Sequence, residues 1–154
     1  MSAPTITRNT HNTLTTLLVP LADRHLLLPN VAVAELTQCR GLTTLAGAPE
    51  WILGQLVWRD QAIPLVCFEH LSTGAAQPLE TRHVLIINAI GDYAAHKFYA
   101  LLSQGIPRSI KVDQNLKNAD LPLAEFELEA VELGDQIVRI PDLLAIEKAL
   151  SALN

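Results

Sequence analysis

Residues 48–71 read APEWILGQLVWRDQAIPLVCFEHL, and the fold class turns on this stretch. Gly54 to Trp58 is a short apolar run, Arg59-Asp60-Gln61 is polar, and Ala62 to Phe68 is a second apolar run. Two apolar runs around a short polar break predict a strand–turn–strand hairpin, although the break lacks the Asn-Gly or Asp-Gly that best fits a tight turn. Pro64 has no N–H to give a ladder, so the second strand is expected to be an edge strand or to be bulged. An open edge carries unpaired backbone groups that must be covered or used. The turn would present the Arg59 guanidinium to solvent or to a partner.

On the N-terminal side, residues 1–13 are polar and rich in Thr and Asn, with no apolar core like that of a signal peptide, and are expected to be a flexible tail. Leu14 to Leu21 and His25 to Leu28 read as strands about an Ala22-Asp23-Arg24 turn. Val31 to Leu36 alternates with period two, yet fits a single helical turn as well. Thr37 to Gly47 reads as a loop.

On the C-terminal side, Ser72 to Glu80 is expected to be an exposed connection. Arg82 to Ile90 is β-branched and apolar, as a central strand is, and Lys97 to Gln104 pairs back on it after Gly91-Asp92. Ile106 to Val112 alternates like a half-buried strand. So does the stretch from Glu125 to Leu133, where Phe126, Leu128, Ala130 and Leu133 alternate with glutamates at 125, 127, 129 and 132 that would form a wet acidic face. Gln136 to Ile140 returns after Gly134-Asp135. Pro141 suits the first position of a helix over 141–153, with Asp142 in its first turn and Leu143, Ile146, Leu150 and Leu153 on one face. About nine short strands with one terminal helix predict a mainly β domain, either barrels or a sandwich.

Composition narrows the function. At 49 % hydrophobic and 18 % charged residues the 154-residue chain has the apolar content to fold, as one domain or as two subdomains sharing a core. No apolar run reaches the roughly 18 residues that read as a membrane span. A net charge of −5 with scattered Lys and Arg argues against a nucleic-acid or anionic-membrane footprint. Two cysteines without a CxxC, and five histidines without HxH or HExxH spacing, indicate neither metal nor cofactor, and the reading is of a cytoplasmic protein.

The 48–71 stretch resembles the most recognisable segment of CheW-like chemotaxis coupling domains: Pro49, Trp51, Ile52, Gly54, Arg59, Ile63, Pro64, Leu65 and Val66 stand in matching places. Val33-Ala34-Glu35-Leu36 is similar to the family's V-x-E-(I/V). The chain departs from the pattern at Asp60, where the family has glycine, at Cys67, where it has aspartate, and at Ser103, which ends a strand the family ends in aspartate. The resemblance covers Leu14 to the terminal helix. It implies an all-β fold of two five-stranded SH3-like barrels sharing a hydrophobic interface, with a C-terminal helix, over residues 14–154. It further implies a non-enzymatic adaptor at receptor arrays that couples the cytoplasmic tip of a methyl-accepting chemoreceptor to the regulatory domain of a CheA-type histidine kinase. An auxiliary member from a pilus-linked, twitching-motility system fits the departures. The alternatives are a specialised paralogue that binds one partner and a small β-barrel ligand module.

The partner-binding residues so implied are Arg59, Glu35, Val33, Gly54, Trp58, Asp60 and Val84. Each has a plainer reading. Arg59 can be a solvated turn charge, or a planar fork for a partner's carboxylates and carbonyls. Glu35 can be a surface carboxylate, or can orient Arg59. Val31, Val33 and Val84 can be core, or can line a groove between the barrels. Trp51 and Trp58 can be core, or interface anchors. Cys67-Phe68-Glu69-His70 invites a thiol nucleophile, but on a strand Cys67 and His70 would face opposite ways.

Overall fold

The computed structural model describes residues 13–74, 83–91, 97–113 and 115–153; residues 1–12 of the N-terminal tail, most of the 72–80 connection and the second half of the Gly91-Asp92 turn lie outside them. Among the described residues ten strands form two five-stranded antiparallel-rich sheets. They are β1 (Thr13–Pro20), β2 (His25–Pro29), β3 (Val33–Gln38), β4 (Ile52–Trp58), β5 (Gln61–Val66), β6 (His83–Asn88), β7 (Phe98–Ser103), β8 (Arg108–Asp113), β9 (Glu127–Leu133) and β10 (Gln136–Pro141). The first sheet has the order β8-β1-β2-β10-β9 and the second β3-β6-β7-β5-β4, so the whole second sheet is inserted between β2 and β8 of the first. Helix α1 (Phe68–Thr73) follows β5, and α2 (Leu143–Ser151) closes the chain.

Alternation along the central strands explains why the sheets share a core. Leu17, Val19, Leu26 and Leu28 of the first sheet meet Leu85, Ile87, Tyr99 and Leu101 of the second in one buried cluster, which α2 seals with Leu143, Ile146 and Leu150. The residues between them face the other way. Leu18 and Leu27 fill the first barrel with Val112, Val131 and Val138. Val84, Ile86, Ala100 and Leu102 fill the second with Leu56, Trp58, Ile63 and Leu65. These strands are buried on both faces, which is why LLVP, HLLLP and VLII read as continuous apolar runs in an antiparallel sheet. Each fully buried aliphatic side chain contributes about 1.5–3 kcal/mol, so these clusters, rather than surface ion pairs, hold the fold.

The structure corrects several local expectations. Pro64 does not lie on an edge strand: β5 sits between β4 and β7. Gln55, opposite Pro64, turns both backbone groups away from it to Thr43 (2.8 and 2.7 Å), so Pro64 owes β4 no hydrogen bond, and the parallel pairing with β7 starts one residue on, at Leu65. The bulge lies in the facing strand, between Ile52 and Gly54. Val31–Leu36 resolves into both readings, a 3-10 turn over Asn30–Ala32 and then β3, and Val31 is exposed where core had been an option. The acidic face of β9 is not wet throughout. A register shift at Ile140/Pro141 breaks the alternation, leaving Leu128 exposed and Glu127 inside against Arg24 and Arg139 (2.7 and 3.1 Å). Pro141 ends β10 instead of opening the helix; Asp142 is the N-cap, accepting from the Ala145 N–H at 3.1 Å. Leu153 lies beyond the helix end, half-exposed.

Candidate functional site

The β4–β5 hairpin closes through a two-residue loop, Arg59-Asp60, with Trp58 paired to Gln61. Both loop residues have positive φ (48° and 63°), the pattern of the mirror-image turn whose twist matches the flanking strands. That turn normally takes glycine or asparagine, so the chain accepts backbone strain to place a cation at the tip.

β4 and β3 are the two ends of the second sheet, and the side chains at their ends meet across the opening. Glu35 of β3 accepts from Trp58 Nε1 at 3.3 Å and from Arg59 Nη2 at 3.4 Å, both at Oε1. The Arg59 guanidinium lies 4.6 Å from the Trp58 ring centroid, and the Trp58 ring packs against that of Phe98, 4.8 Å between centroids. Trp58 is buried, while the Arg59 side chain is 69 % exposed and that of Glu35 38 %. An exposed ion pair contributes about 0–1 kcal/mol and an exposed cation–π contact about 0.5–1 kcal/mol. The trio thus orients Arg59 more than it stabilises the fold, and a partner carboxylate can exchange for Glu35 at small cost.

Of the seven candidate residues, Glu35, Trp58, Arg59 and Asp60 come together here, with Arg59 and Asp60 exposed. Val33 shares β3 with Glu35 and is half-buried against the shared core. Gly54 and Val84 are inside. Val84 is 1 % exposed within the second barrel. Gly54, at φ 152°, lies so close under the 42–43 segment that a Cβ would come 2.6 Å from the Thr43 carbonyl oxygen. Trp51 packs on the shared core. The sequence did not single out the exposed apolar side chains of these two strands, Leu36 and Val57; their outward positions follow from the period-two alternation once the strand register is known.

The CFEH string takes a different form from the strand assumed for it. Cys67 is the N-cap of α1 and Phe68 to Thr73 is helical, so the opposite-faces argument does not apply. Cys67 is nevertheless buried. Burial, with the Glu69 carboxylate adding to it, pushes its thiol up to about 11, and Sγ contacts Glu69 Oε1 at 3.6 Å. His70 reaches Glu50 instead, at 3.5 Å. Among the described residues no three His, Cys, Asp or Glu side chains gather as metal ligands, and no helix is long and apolar enough to cross a membrane.

Comparison with known proteins agrees with this architecture. The family model for the CheW-like domain matches residues 15–150. The crystal structure of the scaffolding protein TtCheW from Thermoanaerobacter tengcongensis superposes with a TM-score of 0.71 over 84 % of this chain and 84 % of that one, at 17 % identity. No curated protein matches the chain in sequence.

Proposed function

The chain belongs to the CheW-like domain family, and from that premise we propose that it is a non-enzymatic adaptor between a chemoreceptor's cytoplasmic tip and the regulatory domain of a CheA-type histidine kinase. The observation that carries the proposal to particular residues is the Glu35–Trp58–Arg59 trio, an oriented, exposed guanidinium at the open end of the second barrel. Arginine suits a protein partner there, since its fork binds carboxylates and backbone carbonyls in pairs. Asp60 and Val33 flank this surface, while Gly54 and Val84 support it from within. The work is geometric: the chain holds two partners in a defined relation at the cytoplasmic face of a receptor array, and no bond is made or broken.

A pull-down and titration against both fragments, with wild type, Arg59→Ala and Arg59→Asp, tests this. The expected result is binding of both by wild type, weakened about tenfold or more by the substitutions, as for an interface arginine. Undiminished binding by folded Arg59→Asp would remove the site. A second reading, a paralogue specialised for one partner in a flagellar or twitching pathway, is favoured by Asp60, which holds a strained φ of 63° where its family has glycine. Binding of a single partner in the same experiment would establish it.

A further inference from the structure

The segment before β9 is tied down at nearly every residue. The Pro122 carbonyl accepts from Arg139 at 2.9 Å, and the Ala124 N–H donates to Glu127 at 2.9 Å. The Glu125 carbonyl accepts from Ser72 Oγ at 2.7 Å, and the Phe126 carbonyl accepts from the Asp142 N–H at 2.7 Å. Phe126 itself stands at φ 68°, a conformation that a bulky residue rarely adopts and that persists only where the surroundings over-determine it.

Two of the anchors cross between the barrels. Ser72 belongs to α1, the continuation of β5, and α1 is held to the second barrel's side by the Cys67 N–H on the Trp51 carbonyl at 2.8 Å. Arg24 of the β1–β2 turn donates at once to Ser72 Oγ (2.9 Å), to Glu127 (2.7 Å) and to Asp23 (2.9 Å), with its guanidinium 5.5 Å from the Phe68 ring centroid. Glu69, fully buried, accepts from the Ala22 N–H of the same turn at 2.9 Å. Burial works to lower the Arg24 pKa, but Asp23 and Glu127 outweigh it and raise it, so the cation is secure at any working pH.

We propose that residues 122–127 form a latch, pinned to α1 through Ser72 and Arg24, that sets the relative orientation of the two barrels. Apolar packing across the shared core is non-directional, whereas hydrogen bonds are directional, so a small polar set can select one arrangement among several that bury the same surface. A strained segment persists only while its surroundings hold it, so loss of the bonds that pin it would free the two barrels to shift against each other. As a consequence that rests on the adaptor reading, the latch is what keeps partners on the two barrels in a fixed relation.

The test is a distance distribution between spin labels placed through Ala62→Cys on the second barrel and Lys111→Cys on the first, both exposed, with native Cys39 and Cys67 buried. Wild type is expected to show one narrow distance. Ser72→Ala, which removes the two Ser72 bonds and no packing of size, is expected to broaden or shift it while unfolding stays cooperative; Arg24→Ala is expected to do so further. An unchanged distribution in folded Ser72→Ala overturns the latch, whether or not Arg24→Ala folds. Because the distance is read on the free chain, its outcome is independent of partner binding. If wild type binds neither partner while Ser72→Ala still broadens its distance, the adaptor reading falls and the latch stands.

Discussion

Replacing Gly54 with alanine tests the reason the hairpin needs a glycine there. Two terms add. At φ 152° any L side chain is strained, at about 1–3 kcal/mol. The new Cβ would also lie 2.6 Å from the Thr43 carbonyl oxygen and 3.0 Å from the Leu42 side chain, forcing the 42–43 segment away and loosening the paired Thr43–Gln55 bonds, each contributing about 1 kcal/mol. The sum is about 3–5 kcal/mol, a large part of the roughly 5–15 kcal/mol that holds a domain. In urea, with a slope of about 2 kcal/mol per molar, the midpoint should fall by about 2 M. Gly47→Ala is the control: Gly47 also has positive φ (79°), but nothing lies within 4 Å of its would-be Cβ, so it should lose the backbone term alone. A Gly54→Ala loss no larger than that of Gly47→Ala would refute the close-approach argument.

Three further outcomes are expected. Asp60→Gly should relieve the strained turn and raise stability by about 0.5–1.5 kcal/mol in chemical denaturation, the opposite sign from Gly54→Ala, because it introduces a glycine at an exposed residue with φ 63°; a loss of stability would mean the Asp60 side chain supports the turn. Glu147, fully buried on α2, accepts from the Ile90 and Gly91 N–H groups at 2.8–3.1 Å; Glu147→Ala should cost about 2–4 kcal/mol, read as a fall in Tm of roughly 5–15 °C, and a smaller shift would mean water replaces the carboxylate. The Cys67 thiol keeps its proton to about 11 when folded against an ordinary value of 9.0, so its contribution to stability is complete below pH 9 and is lost as pH rises from 9 to about 11. Thiol labelling of native protein at neutral pH should accordingly be slow, and Cys67→Ala should flatten the alkaline limb; fast labelling would contradict the buried, protonated thiol.

The sequence by itself was enough for the class of the fold and for one end of the candidate site. Runs such as LLVP, VLII and FYALL are apolar because both faces of their strands are buried, and a signal that continuous survives without knowledge of partners. Arg59 was legible because a polar break between two apolar runs has nowhere to go but a turn. What only the tertiary structure decided are features set by contacts far apart in the chain. Pro64 could become interior because Thr43 takes Gln55's hydrogen bonds and because β7 pairs only from Leu65 onward. Glu127 could turn inward because a bulge breaks the alternation and two arginines wait there, one of them more than a hundred residues upstream. Helix α1 is six residues long, too short to show a period of 3.6, and it forms where its glutamate and serine meet the β1–β2 turn and the 122–127 segment. Glu35 met Arg59 for the same reason: local patterning records what each residue does along its own strand, whereas a pair joined across the open end of a barrel exists only after the sheet has curled and brought its first and last strands together.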